Sequence, residues 1–298
     1  MNGIVNVYKE KGYTSHDVVA ILRGVLKTKK IGHTGTLDPE ATGVLPVCLG
    51  KATKTAELIM GTEKEYIASL AFGSETDTQD AGGTVTRQTE YCFREEDARR
   101  AIQSFTGEYE QTPPMYSAVK IGGVKLYEMA RMGMEVERKS RPVTIYEMEV
   151  LHLDEKGARL RIRCSKGTYI RTLCEDIGRK TGYLAHMTEL ERTASGPFRV
   201  EKSFRIEELK GLMAQGRSDE FLTGLDELFM DLPLKQVIPE EDAMLRNGNY
   251  LTYSPREVPP VLGQEVRMYT STGEFAGLYR VAELPDGQVR LKAHKMFV

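Results

Sequence analysis

Residues 31–54, IGHTGTLDPEATGVLPVCLGKATK, hold four glycines, one histidine and a single aspartate, Asp38, in 24 positions. The spacing of the glycines, together with Pro39 and Pro46, is incompatible with one continuous helix or strand. We therefore predict a loop that encloses the short apolar run VLPVCL. Such a loop can serve as a phosphate cradle, a metal site, a plain turn or the carrier of a catalytic acid.

The residue spacing argues against the first two interpretations of this loop. Gly43 and Gly50-Lys51 are too far apart for the motif G-x-x-x-x-G-K-[ST], and Ala52 occupies its hydroxyl position. His33 and Asp38 are only two of the ligands that a metal site requires, so we predict no metal. Two interpretations stay open: Asp38-Pro39 initiates a turn, or Asp38 is catalytic.

The flanking segments predict a mixed α/β fold. GIVNVYK is a β-rich run that ends at Lys9, and a helix follows it with Ser15 as the N-cap. EYIASLAFG has the two-residue period of a strand, with Tyr66 near its start. In ARLRIRCSKGTYIRTLCEDIGRKTG a half-buried strand leads into a helix, which places Tyr169 and Arg171 in the first helical turn.

The length and texture of the chain predict two domains. A chain of 298 residues suits one large domain and one small one. From about residue 232, short alternating runs are separated by Thr-Gly and Asp-Gly turns, which is typical of a small β-rich module. We predict domains at 1–231 and 232–298. No apolar run approaches the roughly 18 residues of a membrane helix, and no signal-peptide pattern is present, so we expect a cytoplasmic protein with reduced cysteines.

Charge is distributed unevenly along the chain. The net charge is −2, but residues 155–200 carry ten Lys/Arg against five Asp/Glu, and residues 201–245 carry five against eleven. A basic patch on a neutral protein can still follow a phosphate backbone, because binding responds to the local field. A solvated strand face explains the same pattern equally well.

Each remaining candidate side chain has a simpler structural interpretation when taken alone. His33 is compatible with a surface or capping residue, and Tyr66 with a core residue. Arg171 has Glu175 four residues further on, the spacing of an ion pair on one helix face. An acid-dependent hydrolase would need a second carboxylate at motif spacing from Asp38, and the sequence offers none.

Five blocks, taken in their order along residues 3–200, resemble the TruB family of pseudouridine synthases, which isomerise uridine in the T loop of transfer RNA. The blocks are GIVNVYKEKGYTSHDVV, GHTGTLDPEATGVLPVCLGKATK, KEYIASLAFGSETDTQDAGG, QTPPMYSAVKIGGVKLYEMARMG and CSKGTYIRTLCEDIG. The carboxyl-terminal module resembles a divergent PUA domain. The resemblance implies a largely antiparallel pseudouridine-synthase sheet with helices, followed by this small β-rich domain.

The resemblance also implies a catalytic pair. Asp38 matches the family's catalytic aspartate, an ionised nucleophile that acts at C6 of the base, at C1′ of the ribose, or first on a ribose proton. Arg171 matches the arginine beside that carboxylate, and an opposite charge in contact favours the ionised form. We therefore expect an ion pair between Asp38 and Arg171, and an Arg171→Ala change that spares the fold and depresses the rate.

Further matches imply residues that bind substrate. Tyr66 matches the tyrosine stacked on the target base, a candidate also for handling the C5 proton, and Tyr169 and Leu190 match residues around the uracil. His33 matches a residue that fills the place of the flipped nucleotide. Lys9 matches a lysine placed for phosphate or for packing the loop. Here the sequence departs from the family, which often has Lys-Pro where this chain has Lys9-Glu10.

These matches set the expectations for cofactors and partners. Isomerisation conserves every atom of the substrate, so no cofactor is expected. The expected partner is the T arm of tRNA, bound by a monomeric isomerase without an obligate protein partner or a membrane. The alternatives are a non-catalytic RNA-binding protein that keeps the pocket, and the guide-RNA-dependent branch of the superfamily.

Overall fold

The computed structural model describes residues 1–117, 119–134, 136–252, 261–283 and 288–298. The strands in these ranges are β1 Gly3–Lys9, β2 Ile31–His33, β3 Thr42–Leu49, β4 Lys64–Phe72, β5 Ser74–Thr76, β6 Val85–Gln88, β7 Gly107–Gln111, β8 Lys120–Ile121, β9 Val124–Lys125, β10 Arg141–Asp154, β11 Gly157–Cys164, β12 Ala185–Ser195, β13 Phe198–Arg199, β14 Leu222–Thr223, β15 Leu234–Gln236, β16 Leu251–Thr252, β17 Glu265–Tyr269, β18 Phe275–Glu283 and β19 Val289–Met296. The α-helices are α1 Ser15–Val25, α2 Ala56–Met60, α3 Glu95–Gln103, α4 Leu126–Arg131, α5 Ile170–Thr181, α6 Ile206–Ala214 and α7 Asp242–Arg246.

One large sheet carries most of the chain. Its strand order is β14-β1-β3-β12-β4-β11-β10-β7, with β2 added to β3 and β13 to β12. Neighbours in this sheet pair antiparallel, except that β12 runs parallel to β3. The mixed, largely antiparallel sheet with helices expected from the sequence is thereby confirmed.

Helices cover two regions of this sheet. The apolar side of α5 packs with α3 on β4, β10 and β11, through residues such as Leu160, Ile162 and Leu173. A second cluster joins α1 and α6 to β1 and β3, with Val18 and Leu22 fully buried. Burial of each such side chain contributes roughly 1.5–3 kcal/mol. The two clusters fix α1 and α5, the helices that flank the site described below.

The predicted extent of β1 and the predicted start of α1 agree with the structure to within a residue, but α1 ends at Val25, before the basic stretch 27–30, and its predicted cap is wrong. Thr14 is the N-cap, with its hydroxyl accepting from the Asp17 N–H at 3.1 Å and the Asp17 carboxylate accepting from the Thr14 N–H at 2.8 Å. Ser15 is the first helical residue, and its hydroxyl accepts instead from the Leu37 N–H at 2.9 Å. The cap missed by the sequence prediction leaves Ser15 free to hold the loop around Asp38.

A second sheet, in the order β15-β17-β18-β19-β16, forms near the carboxyl terminus around its own apolar cluster. It touches the large domain through Lys51 and Glu274, whose charged atoms are 3.5 Å apart, and through Lys54, which donates to the Met296 carbonyl at 3.0 Å. Its first strand begins at Leu234, while the division into 1–231 and 232–298 stays a prediction. The predicted Asp-Gly turn at 286–287 lies outside the described residues.

Candidate active site

The loop that carries Asp38 lies between β2 and β3 and is fixed by hydrogen bonds at both ends. The Thr34 N–H donates to the Pro46 carbonyl at 3.0 Å, and the Ala41 N–H donates to the Asp38 carbonyl at 3.1 Å. The second bond closes a turn over Pro39, so the turn interpretation is correct for the backbone. It does not exclude the catalytic one, because the Asp38 side chain stays 40% exposed.

Lys9 supports this loop from beneath. Its ammonium is completely buried and donates to the carbonyls of Glu10, Tyr13 and Pro39 at 3.1, 2.6 and 3.0 Å. Burial lowers the pKa of Lys9 to about 8, although the negative charges of Asp38 and Glu40 act to raise it. Of the two roles implied by the resemblance, the geometry favours loop packing over phosphate binding.

Arg171, the second residue of α5, forms the expected ion pair with Asp38. Its Nε lies 3.1 Å from the nearer Asp38 carboxylate oxygen. The same guanidinium, only 8% exposed, donates to the carbonyls of Thr78 and Tyr116 at 3.1 and 3.0 Å. Arg171 thus joins four segments of the chain. The alternative pair with Glu175 is not formed, since Glu175 contacts Arg179 at 3.2 Å.

Asp80 is a site residue that the sequence analysis did not single out. Its carboxylate lies 3.4 Å from Arg171 Nη1 and accepts from the Gly82 N–H at 3.0 Å. Gln79 holds the same turn on α5, because its side-chain oxygen accepts from the Thr172 hydroxyl at 2.8 Å. The segment TDTQDA, quoted among the family blocks, was the available signal.

The electrostatics of Asp38 combine opposing effects. Burial by the surrounding segments raises the pKa of its carboxyl, Arg171 lowers it, and the nearby charge of Asp80 raises it. The net direction is upward from the ordinary value. Arg171 therefore offsets part of the free-energy cost that burial adds to the ionisation of Asp38.

Tyr66 and Leu190 share one face of the sheet. Tyr66 of β4 stands directly opposite Ile162 of β11 and Arg192 of β12, and Leu190 stands opposite Ala68. Directly paired residues and residues two apart point to the same side, so Tyr66 and Leu190 are neighbours. Burial raises the pKa of Tyr66, and the charge of Asp38 adds to that effect. The tyrosine hydroxyl and the carboxylate therefore interact electrostatically.

Tyr169 is the N-cap residue of α5 and lies at the wall of a cavity of about 550 Å³. Its N–H donates to the Gln111 side-chain oxygen at 2.8 Å, and the Gln111 amide donates to its carbonyl at 3.0 Å. Arg141 and Lys166 also line the cavity. Gln111, which the sequence analysis did not single out, fixes the start of the helix that carries Arg171.

His33 is the last residue of β2. Its ring meets that of His16 edge to face at 5.3 Å, and its Nδ1 accepts from the Gly35 N–H at 3.3 Å. Burial, with the charges of His16 and Arg192, lowers the pKa of His33. A neutral, partly exposed ring is suited to stacking.

The basic stretch 155–200 does not form one free basic surface. Arg161 pairs with Glu149, and Arg163 with Glu63 at 3.0 Å. Arg179 pairs with Glu75 at 2.7 Å, while Arg171 is engaged with Asp38 as described. The count of basic residues therefore overstates the charge available to a phosphate backbone.

Two kinds of feature are absent from the described ranges. No three His, Cys, Asp or Glu side chains among these residues gather in a way that would hold a metal ion. Nor is any helix there both long and apolar enough to cross a membrane.

Comparison with known proteins gives consistent matches along the chain. The model described as TruB family pseudouridylate synthase (N terminal domain) matches residues 23–170, and that described as tRNA pseudouridylate synthase B C-terminal domain matches residues 171–245. The tRNA pseudouridine synthase B of Alkaliphilus oremlandii is 44% identical over 98% of this chain and 97% of its own length. That of Geobacillus kaustophilus is 47% identical over 84% of this chain and 91% of its own.

A solved Cbf5-Nop10-Gar1 complex contains a chain of similar fold. It superposes with a TM-score of 0.72 at 27% identity and covers 99% of this chain and 85% of that one. Another similar chain occurs in an H/ACA RNP bound to a substrate RNA, with a TM-score of 0.72 at 24% identity and 99% and 85% of the two chains covered. The second likeness concerns the fold alone.

Proposed function

Since this chain belongs to the TruB family of pseudouridylate synthases, we propose that it acts on the T-loop uridine at position 55 with Asp38 as nucleophile. The reaction class is the isomerisation of uridine to pseudouridine in tRNA. The observation that carries the assignment to Asp38 is its pairing with Arg171 at 3.1 Å on an exposed loop. A carboxylate that is both reachable and charge-paired is suited to attack.

The pair supports nucleophilic chemistry by its asymmetry. Arg171 is 8% exposed and anchored by two carbonyls, whereas Asp38 is 40% exposed. The cation therefore stays fixed while the carboxylate remains open to a substrate. Such preorganised charge needs little rearrangement during the reaction.

Tyr66, Leu190 and Tyr169 are proposed to hold the flipped uracil. An aromatic ring stacked on a base contributes about 1–3 kcal/mol. The apolar surfaces of Leu190 and Tyr66, which share one face of the sheet, would exclude water while the glycosidic bond is broken. His33 is proposed to occupy the space that the base leaves in its helix, which offsets part of the unstacking cost.

The isomerisation breaks the N1 to C1′ bond, rotates the uracil and joins C5 to C1′, with the C5 proton leaving to solvent and a proton taken up at N1. Asp38 supplies the nucleophilic oxygen, whose bond to the substrate breaks again before the product leaves, and Tyr66 is the candidate to handle the C5 proton. Because every other atom of the uridine stays in the product, the proposed chemistry uses only side chains and needs no cofactor.

The partner assignments follow from the same family membership. We propose the T arm of tRNA as the bound element, a monomer that acts without an obligate protein partner, and a cytoplasmic location. Residues 1–231 would form the catalytic domain and residues 232–298 a PUA-like module that contacts the acceptor side of the tRNA. Lys166 and Arg141, at the rim of the cavity beside Tyr169, are candidates for phosphate contact.

The test is tritium release from a tRNA transcript labelled at uridine C5, with the full-length protein and no added cofactor. Wild type should release tritium in proportion to tRNA, and replacement of the T-loop uridine should abolish the release. Asp38→Asn should bind the tRNA and release none. Asp97→Asn, at an exposed carboxylate that pairs with Arg100 on α3, is the matched control and should match wild type.

Two results would contradict the proposal. Normal tritium release by Asp38→Asn would show that Asp38 is not the nucleophile. Binding of tRNA by wild type without release would instead favour the non-catalytic or the guide-dependent alternative.

A further inference from the structure

Arg192, on β12, is a buried cation outside the Asp38 and Arg171 pair. It is 2% exposed, the largest of the fully buried side chains in the described residues. No carboxylate in these ranges lies within ion-pair distance of it, and its hydrogen bonds go to main-chain carbonyls. An unpaired buried cation is costly unless its donors are satisfied, and main-chain carbonyls accept from those of Arg192.

The guanidinium joins the two ends of the loop that carries Asp38. Nε donates to the Val44 carbonyl at 2.7 Å, and Nη2 donates to the Gly35 carbonyl at 3.2 Å. Gly35 precedes Asp38 by three residues and Val44 follows it by six. The two ends of the loop are therefore held by one rigid planar group.

The backbone of Arg192 holds the same loop. Arg192 pairs with Gly43 where β12 runs parallel to β3. A Cβ on Gly43 would lie 2.3 Å from the Arg192 carbonyl oxygen, and Gly43 has φ +103°. Only glycine allows this approach, and it brings the Arg192 side chain under the loop.

Arg192 also stands directly opposite Tyr66 in the antiparallel pairing of β12 with β4. Paired side chains lie on the same face of the sheet. The charge of Arg192 opposes the larger effect of burial on the pKa of the Tyr66 hydroxyl. One side chain thus lies directly opposite the proposed base-stacking tyrosine and holds the loop of the proposed nucleophile.

We propose that Arg192 is a positioning residue that sets the Tyr66 hydroxyl relative to Asp38. The inference rests on the proposed function, in which those two groups act on the same uridine. Lysine cannot replace the group, because one ammonium does not span the Gly35 and Val44 carbonyls with the geometry of a planar fork. A purely structural arginine would stabilise the loop without influencing the tyrosine.

The C-terminal module supplies a matched control. Arg267 is 6% exposed, donates through Nε to the Leu232 carbonyl at 3.0 Å, and lies 3.4 Å from the Tyr269 hydroxyl. It repeats the combination of buried arginine, carbonyls and tyrosine away from Asp38. Arg192→Lys and Arg267→Lys therefore make the same chemical change in similar surroundings.

The experiment combines kinetics with fluorine NMR on full-length protein labelled with 3-fluorotyrosine. The Tyr66 resonance is assigned by its loss in Tyr66→Phe. Arg192→Lys should displace that resonance and lower the single-turnover rate of tritium release at least about tenfold, with tRNA affinity within about twofold of wild type. Arg267→Lys should leave the Tyr66 resonance and the rate unchanged, even if it lowers the melting temperature as much as Arg192→Lys does.

Arg192→Met, which keeps an unbranched side chain but removes the charge and the donors, is the second variant and should be slower than Arg192→Lys. An unmoved Tyr66 resonance in both Arg192 variants, or a rate loss no larger than that of Arg267→Lys, overturns the proposal. Absence of tritium release from wild type would defeat the proposed function instead, while the NMR comparison would still test the influence of Arg192 on Tyr66.

Discussion

Replacement of Arg171 by alanine tests whether this residue is both an electrostatic and a structural centre. The sequence alone predicts that Arg171→Ala spares the fold. The contacts in the structure argue for a different outcome, because the guanidinium is 8% exposed and joins α5 to Asp38, to Thr78 and to Tyr116. We now expect losses in both stability and rate.

The stability loss follows from the contacts. Two carbonyls lose their donor, at about 1–3 kcal/mol each where they stay dry. Removal of one partner from a buried pair costs about 3–5 kcal/mol, less here because Asp38 is 40% exposed. Since these terms overlap, we expect a total near 3–5 kcal/mol, and a melting temperature lower by about 10 °C for a protein of this size.

The rate should fall for a separate reason. Arg171 lowers the pKa of Asp38 against the effect of burial, so its loss raises that pKa further and reduces the ionised fraction at a given pH. The acid limb of the rate profile should therefore move to higher pH. Thermal melting and single-turnover tritium release as a function of pH measure the two effects on one preparation.

Arg99→Ala is the control, because Arg99 pairs with Glu95 on the exposed side of α3 at 2.8 Å, a pair worth about 0.3–0.5 kcal/mol. It should leave melting and rate close to wild type. The reasoning would be falsified if Arg171→Ala had the same melting temperature as Arg99→Ala, or if the acid limb of its pH–rate profile matched that of wild type.

The structure gives the direction of two further effects. In wild type, the single-turnover rate should fall as the pH drops through the raised pKa of Asp38. Asp80→Asn should move this acid limb of the pH–rate profile to lower pH, because the Asp80 charge raises the pKa of Asp38, and a shift to higher pH would contradict the prediction. Gly43→Ala should destabilise the fold by more than the roughly 1–2 kcal/mol of a left-handed residue, since its Cβ would lie 2.3 Å from the Arg192 carbonyl oxygen; urea unfolding measures this, with Gly211→Ala, where a Cβ meets no atom within 4 Å, as the control.

The sequence predicts the local elements well where a pattern repeats along the chain. The period of two in β4 and β11, and the strand that leads into α5, place Tyr66 and Arg171 correctly on their elements. The helix is closed by Gly182 in a left-handed conformation at φ +77°. Such patterns are visible because they depend on neighbours in the chain.

Contacts between distant segments are not visible in this way. Asp80, Gln111 and Arg192 are ordinary polar residues in the sequence, and each acquires its place from a partner far along the chain. Lys9 gives no sign of its complete burial, because only the fold brings three carbonyls to its ammonium. The family resemblance gave Asp38 and Arg171 without that information.

The position of β12 within the large sheet has a consequence for biosynthesis. In the described strands, β1 and β3 reach β4, β11, β10 and β7 only through β12, which spans Ala185–Ser195. Pairings this distant in sequence form slowly, and a chain made from its amino terminus must wait for residue 195 before they can form at all. The half of the sheet with Asp38 and the half with Tyr66 therefore stay separate on the ribosome until residue 195 has been added. Nascent fragments shorter than this should bear no complete site.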